Sequence, residues 1–508
     1  MKAWARCLSL AAVLLAAGGC AVNPVTGERE IQLVGEASEI GMGEQNYTPM
    51  QQSQGGEYDV DPALTAYVQT VGQRLAEVSD RPLPYEFVVL NNSVPNAWAL
   101  PGGKIAINRG LLTELESEAE LAAVLGHEVV HAAARHSARR MEPGMLLQGL
   151  VLATAVAASD SDYGSLAVGG ANLTAQLISQ KYSRSAELEA DYYGMQYMSR
   201  AGYNPEGAVS LQRTFLRLSE GRRSDWLSGL FASHPPSAER VEANLKTAAE
   251  LPAGGEFGAE RYRDALAKTM AAKPAYEAYD EGRKALAEKR TEEAAQKAEQ
   301  AIALFPDEAH FYALRGDTRL VEKDYERAIT NYDIAIRRRD DFFYYYLQRG
   351  RARQQTGDLA AAESDLERSQ ALLPTAPGYM GLAAIAERRG NRAKAIENYR
   401  AVAQAGGEVG AEAQTKLARL DLPANPGNYI QKRCDAGSNG NLVVSVRNAS
   451  GVRVRDVVVG ISAGGRRIDR GIGGTLDPGE VASIDTGLAG YNPHAGCPVD
   501  VVAARAVD

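Results

Sequence analysis

Residues 127–131 read His127-Glu128-Val129-Val130-His131. On a helix, the two imidazoles stand one turn apart on one face and can share a metal ion, while the carboxylate between them is offset to reach a water on that ion. The chain has only six histidines, so a chance match to this spacing is rare, on the order of one in a hundred. A catalytic zinc needs a third protein ligand and keeps its fourth position for water. Glu187 is the candidate. It lies in Ser183-Arg184-Ser185-Ala186-Glu187-Leu188-Glu189-Ala190-Asp191, where Glu187 and Asp191, four apart, share a helix face. A solvated helix face has the same pattern, so these residues alone leave both readings open. His136, five after His131, is turned off the ligand face of a continuous helix and reads as structural.

The elements that must hold these residues are legible nearby. Ser117 with Glu120 three residues on is a capping box, opening a helix expected to run to about Arg140. A second helix should start near Ser183 and end at Gly202, closed by Asn204-Pro205. Asp61-Pro62 opens an amphipathic helix with Leu64, Val68, Val71, Leu75 and Val78 on one face. Strands are expected at 85–90, 97–100 and 104–108, the last two around Pro101-Gly102-Gly103. The segment with Asn96, Ala97, Trp98 and Ala99 is either a substrate edge strand, pairing its backbone with an extended chain, or a simple core strand. Residues 145–158 are apolar but too short to span a bilayer, which suits a core helix or a lid beside the site.

At 508 residues the chain is too long for one core, and about 150 residues per domain suggests three units. A composition of 45% hydrophobic and 23% charged residues excludes wholesale disorder and a multi-span membrane protein. The net charge of -9 removes any general attraction to nucleic acid. Lys2 and Arg6, an apolar stretch over 8–17 and Gly18-Gly19-Cys20 form a secretion signal. The small residues before Cys20 resemble a bacterial lipoprotein signal, which would make Cys20 the lipidated first residue, anchored at the outer membrane. Cys434 and Cys497 are then left as a pair, economically a disulfide in an oxidising compartment and otherwise two buried thiols.

Between 275 and 424 the sequence repeats. Ala294, Ala328 and Ala362 recur 34 apart with Ala395 following, and Tyr312 with Tyr346 and Gly316 with Gly350 keep the same interval. This period resembles tetratricopeptide repeats, paired helices stacked into an α-solenoid. From 425 the pattern changes to period two with Gly-rich turns, which suggests a small C-terminal β-sandwich. The expected organisation is therefore a signal over 1–20, a linker over 21–58, a catalytic domain over 59–250, repeats over 275–424 and a β-rich domain over 425–508.

The His-Glu-x-x-His motif together with Glu187, Ala190 and Asp191 resembles the zinc metallopeptidase family that includes the prenyl-protein endopeptidases, HtpX and the periplasmic β-barrel assembly-enhancing protease. Further matches are 96–103 before Asn108-Arg109-Gly110, and Ser233-His234-Pro235-Pro236-Ser237-Ala238-Glu239-Arg240. The resemblance is close over about 20–250. With the lipoprotein-like start and the repeats, it extends to about 425 and is nearest the family's periplasmic, repeat-bearing members; the last segment departs from them. It implies a mainly α, α+β gluzincin-type domain holding one zinc ion (Zn2+) per chain through His127, His131 and Glu187. Glu128 is then the catalytic base, and Asp191 is a proton donor or an orienting acid. His234 would lie near the metal as a regulatory fourth ligand; as a lone loop histidine it would read as a surface residue.

The function this implies is a zinc endopeptidase of the periplasm that degrades misfolded or stalled envelope proteins. Its repeats would recruit substrates or the outer-membrane assembly machinery. Two other classes stay open: a chaperone or adaptor using the repeat groove with a latent peptidase, and a lipid-anchored scaffold. A membrane-embedded peptidase is disfavoured, because no stretch outside the signal is long enough to span.

Overall fold

The computed structural model describes residues 20–32, 34–139, 181–221, 233–405, 407–463, 466–489 and 496–507. The signal segment before Cys20 and the apolar 145–158 stretch lie outside the described residues. The chain divides into two compact units, the first reaching Asp358 and the second comprising Leu359–Gln370 and Pro374–Asp508.

The first unit begins with a two-stranded ribbon, β1 (Cys20–Val22) and β2 (Arg29–Ile31), and a helix, α1 (Glu36–Ser53). Next come α2 (Pro62–Ala76), three strands β3 (Glu86–Leu90), β4 (Ala97–Leu100) and β5 (Lys104–Asn108), and a single turn α3 (Arg109–Leu112). The sheet order is β3-β5-β4, with β3 parallel and β4 antiparallel to the central β5. Gly102 and Gly103, at φ 79° and 86°, make the β4–β5 turn, a conformation that a side chain would strain. The motif helix α4 (Glu118–Ala133) is buried along its whole length. Leu64, Val68, Val71 and Leu75 of α2 share a core with Val129, Val130 and the sheet residues Ile105 and Ile107. The remaining helices around the site are α5 (Arg184–Arg200), α6 (Glu206–Gly221) and α7 (Ala238–Glu250).

Three expectations change. The 21–58 segment is an ordered part of the domain, because α1 seats Tyr47 and Met50 against Val88, Leu90, Trp98 and Leu100. It also makes buried polar contacts: Tyr47 donates to the Ile105 carbonyl at 2.9 Å, and Glu39 is paired with Arg81 at 2.9 Å. The motif helix stops at Ala133, short of Arg140, because Arg135 turns left-handed at φ 60°. Its guanidinium is buried against Glu39 and Glu30 and donates to the Val34 carbonyl at 2.7 Å. Finally, α8 (Ala259–Ala287) is one continuous helix, so the expected repeat boundary at 275 falls inside it. Tyr262 at its start donates to the Leu112 carbonyl at 2.7 Å and sits in the same core as α4.

Helical hairpins follow as α8 with α9 (Thr291–Leu304), α10 (Ala309–Val321) with α11 (Tyr325–Arg338), and α12 (Phe343–Thr356). Ala294 and Ala328 are fully buried, which is why a small residue recurs at one place in each hairpin. Asn91 donates to Glu308 at 2.9 Å, and the Arg109 guanidinium lies 3.4 Å from the centre of the Tyr276 ring, so these hairpins are bonded to the sheet domain.

The second unit holds α13 (Leu359–Leu372), α14 (Ala376–Arg388), α15 (Arg392–Ala403) and α16 (Gly407–Asp421). Six strands follow: β6 (Ile430–Ala436), β7 (Asn441–Asn448), β8 (Arg453–Ala463), β9 (Arg466–Leu476), β10 (Val481–Ala489) and β11 (Val499–Val507). They form two antiparallel sheets, β10-β7-β6 and β11-β8-β9. Ile430, Val444 and Val446 of the first share a core with Val454, Val459, Ile461 and Val499 of the second, which is sandwich packing. Cys434 on β6 is disulfide-bonded to Cys497, just before β11.

Candidate metal centre

Helix α4 brings His127, Glu128 and His131 to the site, and α5 brings Glu187 and Asp191. The two helices touch backbone to backbone at Gly126 and Gly194, where a Cβ on Gly194 would lie 3.1 Å from the His127 amide nitrogen. This close approach lets the short carboxylate side chains of α5 reach the imidazoles of α4. Ser183 caps α5 by accepting from the Ala186 amide. Ser117 caps α4 by accepting from the Glu120 amide at 3.2 Å, and Glu120 accepts in return from the Glu116 amide at 2.7 Å.

His127, His131, Glu187 and His234 each present a donor atom, and these atoms lie within 4.8 Å of one another. His127 Nε2 is 2.9 Å from His131 Nε2 and 3.2 Å from His234 Nδ1. Glu187 Oε1 is 3.4 Å from His131 Nε2 and 2.9 Å from His234 Nδ1. Donors on a tetrahedral ion bonded at 2.0–2.1 Å stand roughly 3.3 Å apart, so this set fits one divalent metal ion. All four side chains are buried. His234 comes from the loop before α7, so the structure puts it inside the cluster and not on the surface.

The outer contacts fix the inner ones. His127 Nδ1 lies 2.9 Å from Asp191 Oδ1, leaving Nε2 to face the cluster. Arg240 of α7 grips Asp191 with two bonds of 2.7 Å, and its Nη1 lies 2.8 Å from Glu187 Oε2. Burial opposes charge on Asp191, yet the Arg240 guanidinium and His127 hold its carboxyl below the usual range. Burial likewise works to lower the His127 pKa, but Glu187 and Asp191 carry it up to about 10, so the field here favours a cation. Burial pushes the Glu128 carboxyl up, against the attraction of His234 and His127. Glu128 Oε2 has no hydrogen-bond partner among the described residues.

The proposed substrate strand β4 is an edge of its sheet, but Asn96, Ala97, Trp98 and Ala99 are all buried, and the Ala99 carbonyl accepts from Ser137 Oγ at 2.9 Å. Ala97 shares an apolar pocket with His127 and Glu128, walled by Val124, Met195, Met198, Leu211 and Phe215.

Several neighbours carried no role in the sequence. Arg240 was visible only as part of a matched segment, with nothing to say which carboxylate it meets. Tyr182 stacks on His131 with ring centres 3.9 Å apart, and its hydroxyl lies 2.9 Å from Ser137 Oγ. His136 stays outside the four converging donors but reaches the back of the His131 ring, with its Nδ1 at 2.9 Å from the other Nδ1. The reason is the helix break at Arg135, which redirects the chain.

Residues 62–248 match peptidase family M48. The β-barrel assembly-enhancing protease of Yersinia pestis is 34% identical over 29% of this chain and 31% of its own length. The protein of that name from Escherichia coli (strain K12) is 30% identical over 36% of this chain and 38% of its own length. The match therefore spans well under half of these relatives. The metalloprotease YcaL of Escherichia coli (strain K12) is 31% identical over 34% of this chain and 67% of its own length. Among solved structures, the TPR domain of Arabidopsis OM64 aligns with 23% of this chain and 98% of its own at 19% identity, with a TM-score of 0.23. With its His-Glu-x-x-His helix, its downstream Glu187 and Asp191, and a match covering two thirds of YcaL, the chain belongs to peptidase family M48.

Proposed function

We propose that the chain is a zinc-dependent endopeptidase acting on misfolded or stalled proteins of the cell envelope. The observation that carries this reading is the convergence of His127, His131 and Glu187 on one point beside the Glu128 carboxylate, whose Oε2 makes no hydrogen bond among the described residues. Held by His127, His131 and Glu187, a zinc ion would supply Lewis acidity, making water acidic enough to attack near neutral pH and polarising a peptide carbonyl. Glu128 takes the proton of the attacking water and passes it to the departing amine nitrogen, so the bond breaks into a carboxylate and an amine. Asp191 accepts from His127 Nδ1 and thereby acts as an orienting acid, with Arg240 holding it and Glu187 in place. The edge of β4 aligns the substrate main chain once Ser137 releases Ala99, and the pocket beside Glu128 receives an apolar side chain.

His234 presents its donor atom to the same cluster, and as a fourth ligand it would fill the position that a catalytic zinc keeps open, so we read it as self-inhibiting. Lipidation at Cys20 and the Cys434–Cys497 disulfide fit a periplasmic protein anchored at the outer membrane. The repeat hairpins suit recruitment of unfolded envelope proteins or of the outer-membrane assembly machinery, in keeping with relatives named β-barrel assembly-enhancing protease. No helix among the described residues is long and apolar enough to cross a membrane. The same His234 contact favours the second reading, a chaperone or adaptor whose peptidase is latent.

The test is cleavage of an unfolded protein by the purified mature chain. Chelation should abolish cleavage, added zinc should restore it, and His234→Ala should cleave several-fold faster than wild type. If no zinc-loaded form cleaves while unfolded protein still binds, the chaperone reading replaces this one.

A further inference from the structure

His131 uses both of its ring nitrogens. Nε2 faces the ligand cluster, and Nδ1 lies 2.9 Å from His136 Nδ1. His136 Nε2 in turn lies 3.0 Å from Glu189 Oε1. His131 and His136 are buried, whereas the Glu189 side chain is 25% exposed, so the chain of contacts runs from the metal position to the surface.

Two bare ring nitrogens cannot bond to each other, so one Nδ1 must carry the proton. If His136 donated it, the His131 proton would sit on Nε2 and point into the ligand cluster, and a neutral His136 would set a bare Nε2 against the Glu189 carboxylate. If His131 donates, every contact is satisfied: His131 Nδ1–H to His136 Nδ1, His136 Nε2–H to Glu189, and the His131 Nε2 lone pair free for a metal. We propose that His136 and Glu189 are positioning residues for His131, fixing the tautomer and ring orientation in which its Nε2 serves as a ligand.

This rests on the metal-centre reading above. On an unbroken helix His136 would stand roughly 140° around from His131, and the left-handed Arg135 is what brings it back. The arrangement parallels that at His127, whose Nδ1 is held by Asp191. Helix α5 thus supplies three carboxylates two residues apart with three tasks: Glu187 towards the metal, Glu189 behind His131 through His136, and Asp191 behind His127.

The experiment measures zinc affinity of the full mature chain by competition with a chromophoric chelator, with the visible spectrum of the cobalt-loaded protein as a second readout. His136→Leu should weaken zinc binding about 10–100-fold and alter the cobalt spectrum. His136→Asn, whose Oδ1 stands near the lost Nδ1 and accepts from His131, should recover most of that loss. Glu189→Ala should give a smaller loss, and because its side chain reaches the surface it decides the matter if His136→Leu does not fold. Wild-type affinity in both Glu189→Ala and His136→Leu would overturn the proposal, as would His136→Asn binding as weakly as His136→Leu, since that outcome means packing alone. Failure of the wild-type chain itself to bind one zinc would instead strike the metal-centre reading.

Discussion

Glu128→Gln should lower cleavage of an unfolded protein by about 10²–10⁴-fold, the range for losing a positioned general base. Glutamine keeps the size of the side chain but cannot take a proton. Glu128 also lies outside the set of four converging donors, so zinc content should stay at the wild-type level. Stability should not fall, because burial already disfavours the Glu128 charge and Oε2 makes no hydrogen bond among the described residues. Removing that buried charge is neutral or slightly stabilising. Turnover, metal content and melting temperature measured on one preparation check all three points. A Glu128→Gln protein that cleaves within a few-fold of wild type would remove Glu128 from the chemistry and leave proton transfer to another group.

Arg240→Leu should be the most destabilising single change near the site. Arg240 is 5% exposed and bonds Asp191 twice while its third nitrogen approaches Glu187. Leucine fills much of the volume but leaves two buried carboxylates facing each other without the cation between them. Breaking a buried pair from one side costs about 3–5 kcal/mol, and at about 2–4 °C per kcal/mol for a domain of this size the melting temperature falls by roughly 6–20 °C. Arg240→Lys should recover little, since a single ammonium cannot make the forked contact with Asp191 and reach Glu187 as well. Thermal melts with and without zinc measure this. Equal stability of Arg240→Leu and wild type in the metal-free state would show that the guanidinium does not neutralise these carboxylates.

Where local signals were strong, the sequence and the structure agree. The β4 and β5 strands run over the expected residues because two short, apolar-rich runs meet a turn, Gly102-Gly103, that only glycine makes without strain. The caps at Ser117 and Ser183 are local too, since a side-chain oxygen and an amide three residues on are all they need. The α1 helix was not legible because it has no apolar stripe to read. Its burial depends on partners far away, such as Gln52, which donates to the Asp341 carbonyl at 2.7 Å and accepts from the Phe343 amide at 2.9 Å.

By itself, then, the sequence determined the kind of chemistry, because a one-turn spacing of His127 and His131 with Glu128 between them is a property of a single helix. It also determined the alternation of helical hairpins and the closing β-rich domain, because both are written in short periods. Only the tertiary structure decided what surrounds the ligands. Arg240, Tyr182, His136 and Glu189 meet the site through a helix crossing at Gly126 and Gly194, a loop before α7 and a left-handed residue at Arg135. None of these is periodic. Each depends on partners that meet only once the core has closed, and the Arg240–Asp191 contact, 49 residues apart in the chain, rests on a balance of desolvation and pairing.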